Sequence, residues 1–269
     1  MTTPTLPAGL VDAFARARRI LFITGAGISA DSGLPTYRGF GGLYDGKPTE
    51  EGLPIEEVLS GDMLARRPQL TWKYLLQIEQ GCRNAQPNPA HLALAEIERR
   101  RPPGAVCVLT QNIDGLHRMA GTQNLIEIHG DLHRLLCTRC GHQQTVADYA
   151  ALDTLPPPCP ECKQGWLRPE VVFFGEMLPT DALSRLQAAM THPELDLVVS
   201  IGTTSVFPYI VQPVVHAVRN GIASVEINPG ETTISAHVQF AIKERAAPTL
   251  QAILDCLPPG RHAPGDFQD

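Results

Sequence analysis

Positive charge is scarce in this sequence and does not cluster. The 269 residues include 22 lysines and arginines against 28 aspartates and glutamates, which gives a formal net charge of −6. The longest basic run is Arg99–Arg101. Because a protein that binds nucleic acid neutralises phosphates with clustered positive charge, this composition argues against a nucleic-acid partner.

Long apolar segments are also missing. No run approaches the roughly 18–20 residues that a membrane-spanning helix requires. The N-terminal segment, residues 1–7, has neither the apolar core nor the cleavage site of a secretory signal. We therefore expect a soluble cytoplasmic protein that does not bind membranes. The sequence does not determine the oligomeric state, and a monomer is compatible with it.

Cysteine is too rare for a disulfide-stabilised scaffold, but four of the seven cysteines are regularly spaced. They form two C-x2-C pairs, separated by residues 141–158: Cys137, Cys140, Cys159 and Cys162. Four thiolates at this spacing suit a tetrahedral zinc ion and leave no coordination position for water or substrate, so we expect a structural zinc. A disulfide or a redox dithiol would need only one such pair. Cys82, Cys107 and Cys256 have no partner by spacing and are expected to be ordinary thiols.

Short apolar runs alternate with helical patterns along most of the chain. The predicted strands cover residues 20–23, 106–109, 125–128, 197–201 and 224–227. Helical patterns cover residues 9–19, 91–100 and 211–219. Continuous apolar runs are typical of strands buried on both faces, and the alternation indicates a parallel sheet with helices on both sides. The sequence therefore predicts an α/β protein with a Rossmann-like sheet.

Two segments interrupt this alternation. Residues 39–80 show Gly-Gly turns and helical patterns without a convincing second strand, and residues 133–167 carry the paired cysteines and three consecutive prolines. We predict that both are insertions that together form a smaller domain, helical in the first segment and zinc-binding in the second. The Rossmann-like domain would then comprise residues 1–38, 81–132 and 168–269.

The first predicted strand ends in a glycine-rich loop. Residues 25–30 read Gly-Ala-Gly-Ile-Ser-Ala and match G-x-G-x-x-A. Between a strand and a helix, such a loop lets backbone N–H groups approach a pyrophosphate, whose charge the helix dipole favours. The motif alone is equally compatible with a tight structural turn. The acidic residue that ordinary dehydrogenases carry about 20 residues later is missing, so the loop predicts a dinucleotide site of a different kind.

Polar side chains follow two further predicted strands. Asn112 and Asp114 come after residues 106–109, and His129 comes after residues 125–128. Because ligands gather at the carboxyl ends of strands in an open parallel sheet, we expect these side chains on the same edge as the glycine-rich loop. His129 is the candidate general base, since imidazole titrates nearest physiological pH. His117 is a weaker candidate, for which packing or a local hydrogen bond is the simpler interpretation.

Six motifs follow one another in a fixed order along the chain. They are residues 25–39 (Gly-Ala-Gly-Ile-Ser-Ala-Asp-Ser-Gly-Leu-Pro-Thr-Tyr-Arg-Gly), residues 110–114 (Thr-Gln-Asn-Ile-Asp), His129-Gly130, the two C-x2-C pairs, residues 168–176 (Arg-Pro-Glu-Val-Val-Phe-Phe-Gly-Glu), and Gly202-Thr203-Thr204 with Ile227-Asn228-Pro229. This set resembles the sirtuin family of NAD-dependent protein-lysine deacylases over residues 10–255, nearly the whole chain. The resemblance implies a bacterial-type single catalytic core, with a Rossmann-like large domain and a zinc-plus-helical small domain.

The resemblance also implies which residues bind NAD, a co-substrate that the reaction consumes, and which bind the peptide. The implied NAD-binding residues are Gly25, Ala26 and Gly27 at the phosphates, Tyr37 and Arg38 in the loop over the cofactor, Gln111 and Asn112 at the nicotinamide ribose, Ile113 and Asp114 at the nicotinamide amide, and Gly202, Thr203, Thr204, Asn228 and Ala246 on the adenosine side. The implied partner is an acyl-lysine protein or peptide, which would pair as an added strand with Val172, Phe173, Phe174 and Gly175.

The reaction implied by the resemblance has two stages. The acyl-lysine carbonyl oxygen attacks the ribose carbon as nicotinamide leaves, which gives an alkylimidate. His129 then acts as the base for a ribose hydroxyl that attacks the imidate carbon, and Asn112 is the second candidate catalytic residue. The products are free lysine, nicotinamide and O-acyl-ADP-ribose.

Several positions depart from the family pattern. They are Tyr37 for Phe, Thr204 for Ser, Pro208 one position early, and Glu244 where Gly is common. The most informative departure is Gln77, three residues after Tyr74, where members that prefer succinyl or malonyl groups carry Arg. Because Arg is the natural bidentate partner of a carboxylate, its absence predicts a preference for neutral acyl groups, acetyl or longer. Lys73 offers a point charge nearby.

Two other classes of function are compatible with parts of this pattern. An NAD glycohydrolase or ADP-ribosyltransferase would use the same pocket, but the intact His129-Gly130 pair argues for the acyl transfer that follows nicotinamide release. A binding module that senses NAD or acyl-lysine would leave Asn112, Asp114 and His129 without a role.

Overall fold

The computed structural model describes residues 4–35 and 48–259. The strands within these ranges are β1 (Arg19–Thr24), β2 (Val106–Thr110), β3 (Leu125–Glu127), β4 (Gly130–Cys137), β5 (Gln143–Thr145), β6 (Leu167–Val171), β7 (Leu195–Ile201), β8 (Ala223–Ile227) and β9 (Phe240–Ile242). The α-helices are α1 (Leu10–Arg16), α2 (Ala26–Ser29), α3 (Ile55–Val58), α4 (Gly61–Arg66), α5 (Pro68–Cys82), α6 (Pro89–Arg99), α7 (Leu116–Met119), α8 (Thr180–Met190), α9 (Pro208–Arg219) and α10 (Ala246–Cys256).

Six parallel strands form the large sheet, in the order β3-β2-β1-β7-β8-β9. Strand β1 lies in the middle and alternates its side chains between two apolar cores. Ile20 and Phe22 pack with α1, α6 and α10 on one face, whereas Leu21 and Ile23 pack with α8 and α9 on the other. This alternation with period two explains why residues 20–23 of the strand are all apolar. The predicted α/β class with a doubly wound parallel sheet is confirmed.

All three helices predicted from the sequence differ from the structure at an end, and the one predicted over residues 211–219 begins at Pro208. The helix predicted over residues 9–19 ends at Arg16, because the Arg18 backbone N–H and guanidinium donate hydrogen bonds to Asp196 and Arg19 already belongs to β1. The helix predicted over residues 91–100 begins at Pro89, because the Asn88 side chain caps it. Asn followed by Pro is a strong signal for the start of a helix. The sequence therefore did indicate the first turn of this helix, which the prediction omitted.

The second unit is a three-stranded antiparallel sheet in the order β5-β4-β6. It shares one apolar core with helices α3, α4 and α5, centred on Trp72 and Tyr149, whose ring centroids lie 5.2 Å apart. Helix α5 continues to Cys82, and the sheet spans Gly130 to Val171. The domain boundaries given above remain a proposal, and the shared core supports a single small lobe made from both insertions.

Among the described residues, no helix has both the length and the apolar character needed to cross a membrane.

Candidate active site

The residues expected at the site follow the carboxyl ends of five parallel strands. Gly25 to Gly27 follow β1, residues 111–114 follow β2, His129 follows β3, residues 202–204 follow β7, and Asn228 follows β8. The structure brings them to one edge of the sheet, at the position where the strand order reverses around β1. Side-chain hydrogen bonds then tie neighbouring loops together.

The glycine loop is in close contact with the loop after β7. A Cβ on Gly27 would lie 2.6 Å from Gly202 Cα, and one on Gly25 would lie 2.9 Å from the Gly202 carbonyl oxygen. The Gly25 N–H donates to Ile201 O (3.1 Å) and the Gly27 N–H to Gly202 O (2.8 Å). These two glycines therefore allow two backbones to approach each other, and their own N–H groups are engaged within the protein.

Amide side chains connect the loops after β2, β7 and β8. Gln111 Nε2 donates to Thr203 Oγ1 (2.9 Å), and Asn228 Nδ2 donates to the Thr203 carbonyl oxygen (2.9 Å). Asn112 Nδ2 donates to the Gly25 carbonyl oxygen and to Ser29 Oγ, both at 3.1 Å. Thr203 and Asn112 are buried, whereas Thr204 is exposed at the rim. Side-chain hydrogen bonds thus connect the loops that follow β1, β2, β7 and β8.

Asp114 lies at the inner end of a polar chain. The Ser29 hydroxyl donates to Asp114 Oδ2 (2.7 Å), and the Leu116 N–H donates to Asp114 Oδ1 (3.0 Å). Burial raises the pKa of Asp114, while these two hydrogen bonds oppose the rise. Asp114 lines a cleft between the glycine loop and α5, together with Ala26, Ser29, Leu34, Pro35, Gln77, Ile78, Gly81, Cys82, Asn112 and Ile113. The cleft is mainly apolar, with polar groups concentrated on the Ser29–Asn112–Asp114 side.

Two buried histidines lie behind the glycine loop. His91 Nε2 is 3.5 Å from Ser29 Oγ, and His117 Nε2 is 2.9 Å from Thr24 Oγ1. Their rings meet edge to face, with centroids 4.9 Å apart. Burial lowers the pKa of His91 to about 4 and that of His117 to about 3, so both are neutral at physiological pH. The packing interpretation of His117 agrees with this position, whereas the contact of His91 with Ser29 was not foreseen.

His129 is half-buried and has a hydrogen-bond partner at each ring nitrogen. Nδ1 lies 2.9 Å from the Gln111 carbonyl oxygen, and Nε2 lies 2.7 Å from the Tyr209 hydroxyl. Because a carbonyl oxygen only accepts, Nδ1 carries the proton in the neutral ring and Nε2 is the basic nitrogen. Burial lowers the pKa of His129, partly offset by the bond to Gln111. The ring is therefore neutral at physiological pH, as a general base must be.

The backbone geometry after His129 requires a glycine at position 130. Its φ is +83°, a backbone conformation that favours glycine, and a Cβ there would collide with the Glu170 carbonyl. Directly after the end of β6, the Val172 N–H donates to the His129 carbonyl oxygen (2.9 Å). The end of β6 is therefore held against His129.

The segment expected to pair with peptide, Val172 to Gly175, already has a backbone partner on one side. The Phe174 N–H donates to Leu59 O (3.0 Å), and the Gly61 N–H donates to Phe174 O (3.1 Å). Phe173 is buried, whereas Phe174 and Gly175 are exposed. The Val172 N–H and both backbone groups of Phe173 are also engaged, so an added strand would have to use the remaining backbone groups of this segment.

A partly buried ion pair fixes the same segment. Arg168 donates from both terminal nitrogens to Glu176 (2.6 and 2.8 Å) and from one of them to the Val171 carbonyl oxygen (2.7 Å). Glu176 also accepts from the Phe173 N–H (3.1 Å). Burial alone would raise the pKa of Glu176, but the bonds from Arg168 and Phe173 outweigh it and lower the pKa. Arg168 and Glu176 are the first and last residues of the motif at residues 168–176, so their ion pair holds the two ends of this motif together.

The four paired cysteines form one cluster in the three-stranded sheet, and all four sulfur atoms lie within 4.8 Å of one another. Cys137 Sγ is 3.8 Å from Cys162 Sγ, and Cys140 Sγ is 3.7 Å from Cys159 Sγ. Four Zn–S bonds of about 2.3 Å in a tetrahedron place the sulfurs roughly 3.8 Å apart, so the cluster fits zinc. The Cys140 and Arg139 N–H groups donate to Cys137 Sγ and lower its pKa to about 6, which favours the thiolate.

Two of the expected NAD-binding residues, Tyr37 and Arg38, lie outside the described residues. Ala246 is the first residue of α10 and is buried in the apolar core of the large sheet. Only the backbone of Ala246 is therefore suited to meet a ligand.

Sequence reasoning missed three polar groups of this site. Ser29 was read only as part of the glycine motif, and His91 was placed on a helix without a role. The start of α6 at Asn88-Pro89 is the signal that could have placed His91 in the first helical turn. Tyr209 was not considered, and no local pattern in the sequence points to it.

These features define a class of protein. The strand order, the glycine loop at the centre of the sheet and the four-cysteine module describe a dinucleotide-binding α/β protein with a structural zinc site. The chain belongs to the Sir2 family: the family's sequence model matches residues 25–208.

Individual relatives agree with this assignment. The chain is 48% identical over 249 residues to NAD-dependent protein deacylase 2 of Pseudomonas aeruginosa, covering 92% of this chain and 95% of the relative. It is similar in structure to a Sir2 homologue mutant in complex with ADP-ribose, with a TM-score of 0.83, 34% identity, and coverage of 93% and 96%. A Sir2 complex with a deacetylated peptide and 3'-O-acetyl-ADP-ribose gives a TM-score of 0.79 at 29% identity, with coverage of 91% and 96%.

Proposed function

We propose that this chain is an NAD-dependent protein-lysine deacylase, which transfers the acyl group from lysine to ADP-ribose and releases nicotinamide. The observation that carries the proposal is His129, a neutral base with its tautomer fixed by the Gln111 carbonyl, at the sheet edge where a dinucleotide binds. Membership of the Sir2 family and the deacylase relatives support the same activity.

NAD would lie along this edge with its phosphates at the glycine loop. Gln111 and Asn112 would meet the nicotinamide ribose, and Ile113 and Asp114 the nicotinamide amide, next to the apolar cleft that Asp114 lines. Gly202, Thr203, Thr204, Asn228 and the backbone of Ala246 would lie on the adenosine side. The engaged N–H groups of Gly25 and Gly27 give the glycines a packing role, which leaves Ala26 as the more direct phosphate contact.

Acyl-lysine would enter between two loops that flank His129. One loop is the end of β6, where Val172 donates to the His129 carbonyl, and the other precedes α9, where the Phe207 ring lies edge to face with His129 at 6.1 Å. Both loops carry exposed apolar side chains, Phe174 and Val206, against which a peptide would pack. Removal of a ribose proton by His129 would then drive attack on the acyl carbon.

The charges near α5 support a preference for neutral acyl groups. Lys73 Nζ donates to Glu50 (2.6 Å) and Glu51 (2.7 Å), and the Tyr74 hydroxyl donates to Glu51. Gln77 lines the cleft without a charge. Lys73 is therefore already neutralised by two carboxylates, which would repel the carboxylate of a succinyl or malonyl group.

The zinc ion would be structural. Strand β4 begins directly after His129 and ends at Cys137, so at about 3.3 Å per residue the cluster lies about 26 Å along the strand from the proposed base. Four cysteine ligands also leave no open position on the metal.

The test compares acyl peptides in one assay. Zinc-loaded protein is incubated with NAD and matched acetyl-, butyryl-, myristoyl- and succinyl-lysine peptides, and the products are separated by mass. We expect peptide-dependent O-acyl-ADP-ribose, with succinyl-lysine the poorest substrate. His129→Ala should lower this product by about 10²–10⁴-fold, the usual contribution of a general base. The matched control is His237→Ala, at an exposed histidine. Nicotinamide released without deacylated peptide would instead indicate NAD hydrolysis or ADP-ribosyl transfer.

A further inference from the structure

The basic nitrogen of His129 is not open to a substrate in this structure. With Nδ1 directed at the Gln111 carbonyl, Nε2 is the nitrogen that can take a proton, and the Tyr209 hydroxyl covers it at 2.7 Å. In the neutral ring the phenol O–H donates to the Nε2 lone pair. Any hydroxyl that His129 is to deprotonate must therefore displace Tyr209 or pass its proton through it.

Tyr209 is held firmly in this position. It is the second residue of α9, and its ring stacks on the Phe207 ring with centroids 5.5 Å apart and planes 13° apart. Both rings pack against the apolar core between the large sheet and α8, and both meet His129 edge to face. Displacing the phenol would break this stack as well as the hydrogen bond, whereas passing a proton through it requires no movement of the ring.

We propose that the Tyr209 hydroxyl relays the proton from the ribose hydroxyl of the substrate to His129. The inference rests on the proposed deacylase function. In one concerted step, the ribose O–H bond breaks and its proton bonds to the Tyr209 oxygen, while the original Tyr209 proton bonds to His129 Nε2. The ribose oxygen keeps the electron pair and attacks the imidate carbon, whose C=N π bond breaks as that electron pair moves onto the lysine nitrogen. Tyr209 is neutral before and after, and His129 becomes the imidazolium.

The ionisation of Tyr209 agrees with this role. Burial raises its pKa to about 12, so the phenol holds a proton throughout the range in which enzymes are assayed. A phenol can donate one hydrogen bond and accept another at the same oxygen, which a relay requires.

Tyr209→Phe tests the relay because it removes the hydroxyl and keeps the stacked ring. We expect O-acyl-ADP-ribose formation to fall by about 10- to 100-fold in kcat, less than the roughly 10²–10⁴-fold of a complete general base. The KM for NAD and the exchange of free labelled nicotinamide into NAD, which precedes proton removal, should stay within twofold. The control is Tyr149→Phe, which removes the hydroxyl bonded to Leu132 O inside the small lobe. It should lower Tm but leave kcat unchanged.

A second measurement needs no variant. When two protons move in one step, the rate in mixtures of H₂O and D₂O depends on the deuterium fraction along a curve, and with one proton along a straight line. We expect a curve for the wild-type enzyme in single-turnover formation of O-acyl-ADP-ribose. A straight line, or an unchanged or higher kcat in Tyr209→Phe, overturns the relay while the deacylase assignment stands. Absence of O-acyl-ADP-ribose from the wild-type enzyme overturns both.

Discussion

Gly27 and Gly202 determine how closely the first loop of the site approaches the loop after β7. An Ala at position 27 would place its Cβ 2.6 Å from Gly202 Cα and 2.8 Å from the Gly202 carbonyl oxygen, both of which are backbone atoms. Overpacking of this kind costs about 1–3 kcal/mol. We expect Gly27→Ala to lower the free energy of unfolding by that amount and to abolish NAD-dependent activity, as measured by urea unfolding and product formation.

Gly230→Ala is the matched control for this substitution. Among the described residues no atom lies within 4 Å of a Cβ at Gly230, and its φ is not in the positive range. A surface change of this kind should stay within about 0.5 kcal/mol of the parent protein. Equal stability and activity of the two variants would contradict the contact between the loops.

The pH profile of kcat/KM should have its acidic limb below the ordinary histidine range. The base must be neutral, a histidine is neutral above its pKa, and burial lowers the pKa of His129. Activity should therefore rise through a midpoint below about pH 6.5 and be constant between pH 7 and 8. A midpoint above pH 7 would contradict this assignment of the base.

At the residue scale, the sequence predicts those functional residues that belong to short local motifs. The four cysteines, the glycine loop and His129 after a strand are of this kind. The contact of Tyr209 with His129 joins positions 80 residues apart and depends on how α9 packs against the sheet. No spacing rule links such residues, so the structure was needed to find it.

At the scale of elements, the zinc module is the most separable part of the chain. The metal would hold the ends of β4 and the loop before β6 together, and neither C-x2-C pair contributes to the sheet edge that carries His129. Because zinc binding contributes directly to folding of such small modules, its loss should unfold the lobe rather than alter the chemistry.

Cys140→Ser should therefore lower the zinc content from one ion per chain to none and lower Tm. The comparison is Cys256→Ser, at an exposed cysteine at the end of α10, which should keep both zinc and Tm. Zinc is measured by atomic absorption and unfolding by calorimetry. Zinc loss in both variants, or in neither, would contradict a four-cysteine site.

Strands were easier to predict than helix ends. Strands β1, β2, β7 and β8 are mainly apolar because both faces of the large sheet are covered, although β8 also buries Ser224 and Glu226. Helix ends depend on capping and on partners that are distant in sequence. The Arg18 N–H, just after α1, donates a hydrogen bond to Asp196, which is 178 residues away. The short strands β5 and β9, of three residues each, have too little sequence to carry a pattern.

At the scale of the whole molecule, two lobes with separate apolar cores meet where the chain passes between them. Residues 129–132 and 168–176 are such crossings, and His129, Val172 and the Arg168–Glu176 pair lie on them. The base thus belongs to the large sheet through Gln111, and to the small lobe through Val172. A ligand in the cleft contacts loops from both units, so binding should stabilise the folded chain as a whole.

ADP-ribose offers a direct test of this coupling, because it carries the phosphates and adenosine without the reactive bond. At a ligand concentration of 100 times Kd, binding to the folded state alone contributes about 2.7 kcal/mol. A chain of this size gains roughly 2–4 °C in Tm per kcal/mol, so we expect a rise of about 5–10 °C in one transition. Gly230→Ala should show the same rise, whereas Gly27→Ala should show none because its first loop is displaced from Gly202. A rise confined to one of two resolved transitions would mean that the ligand is held by one lobe only.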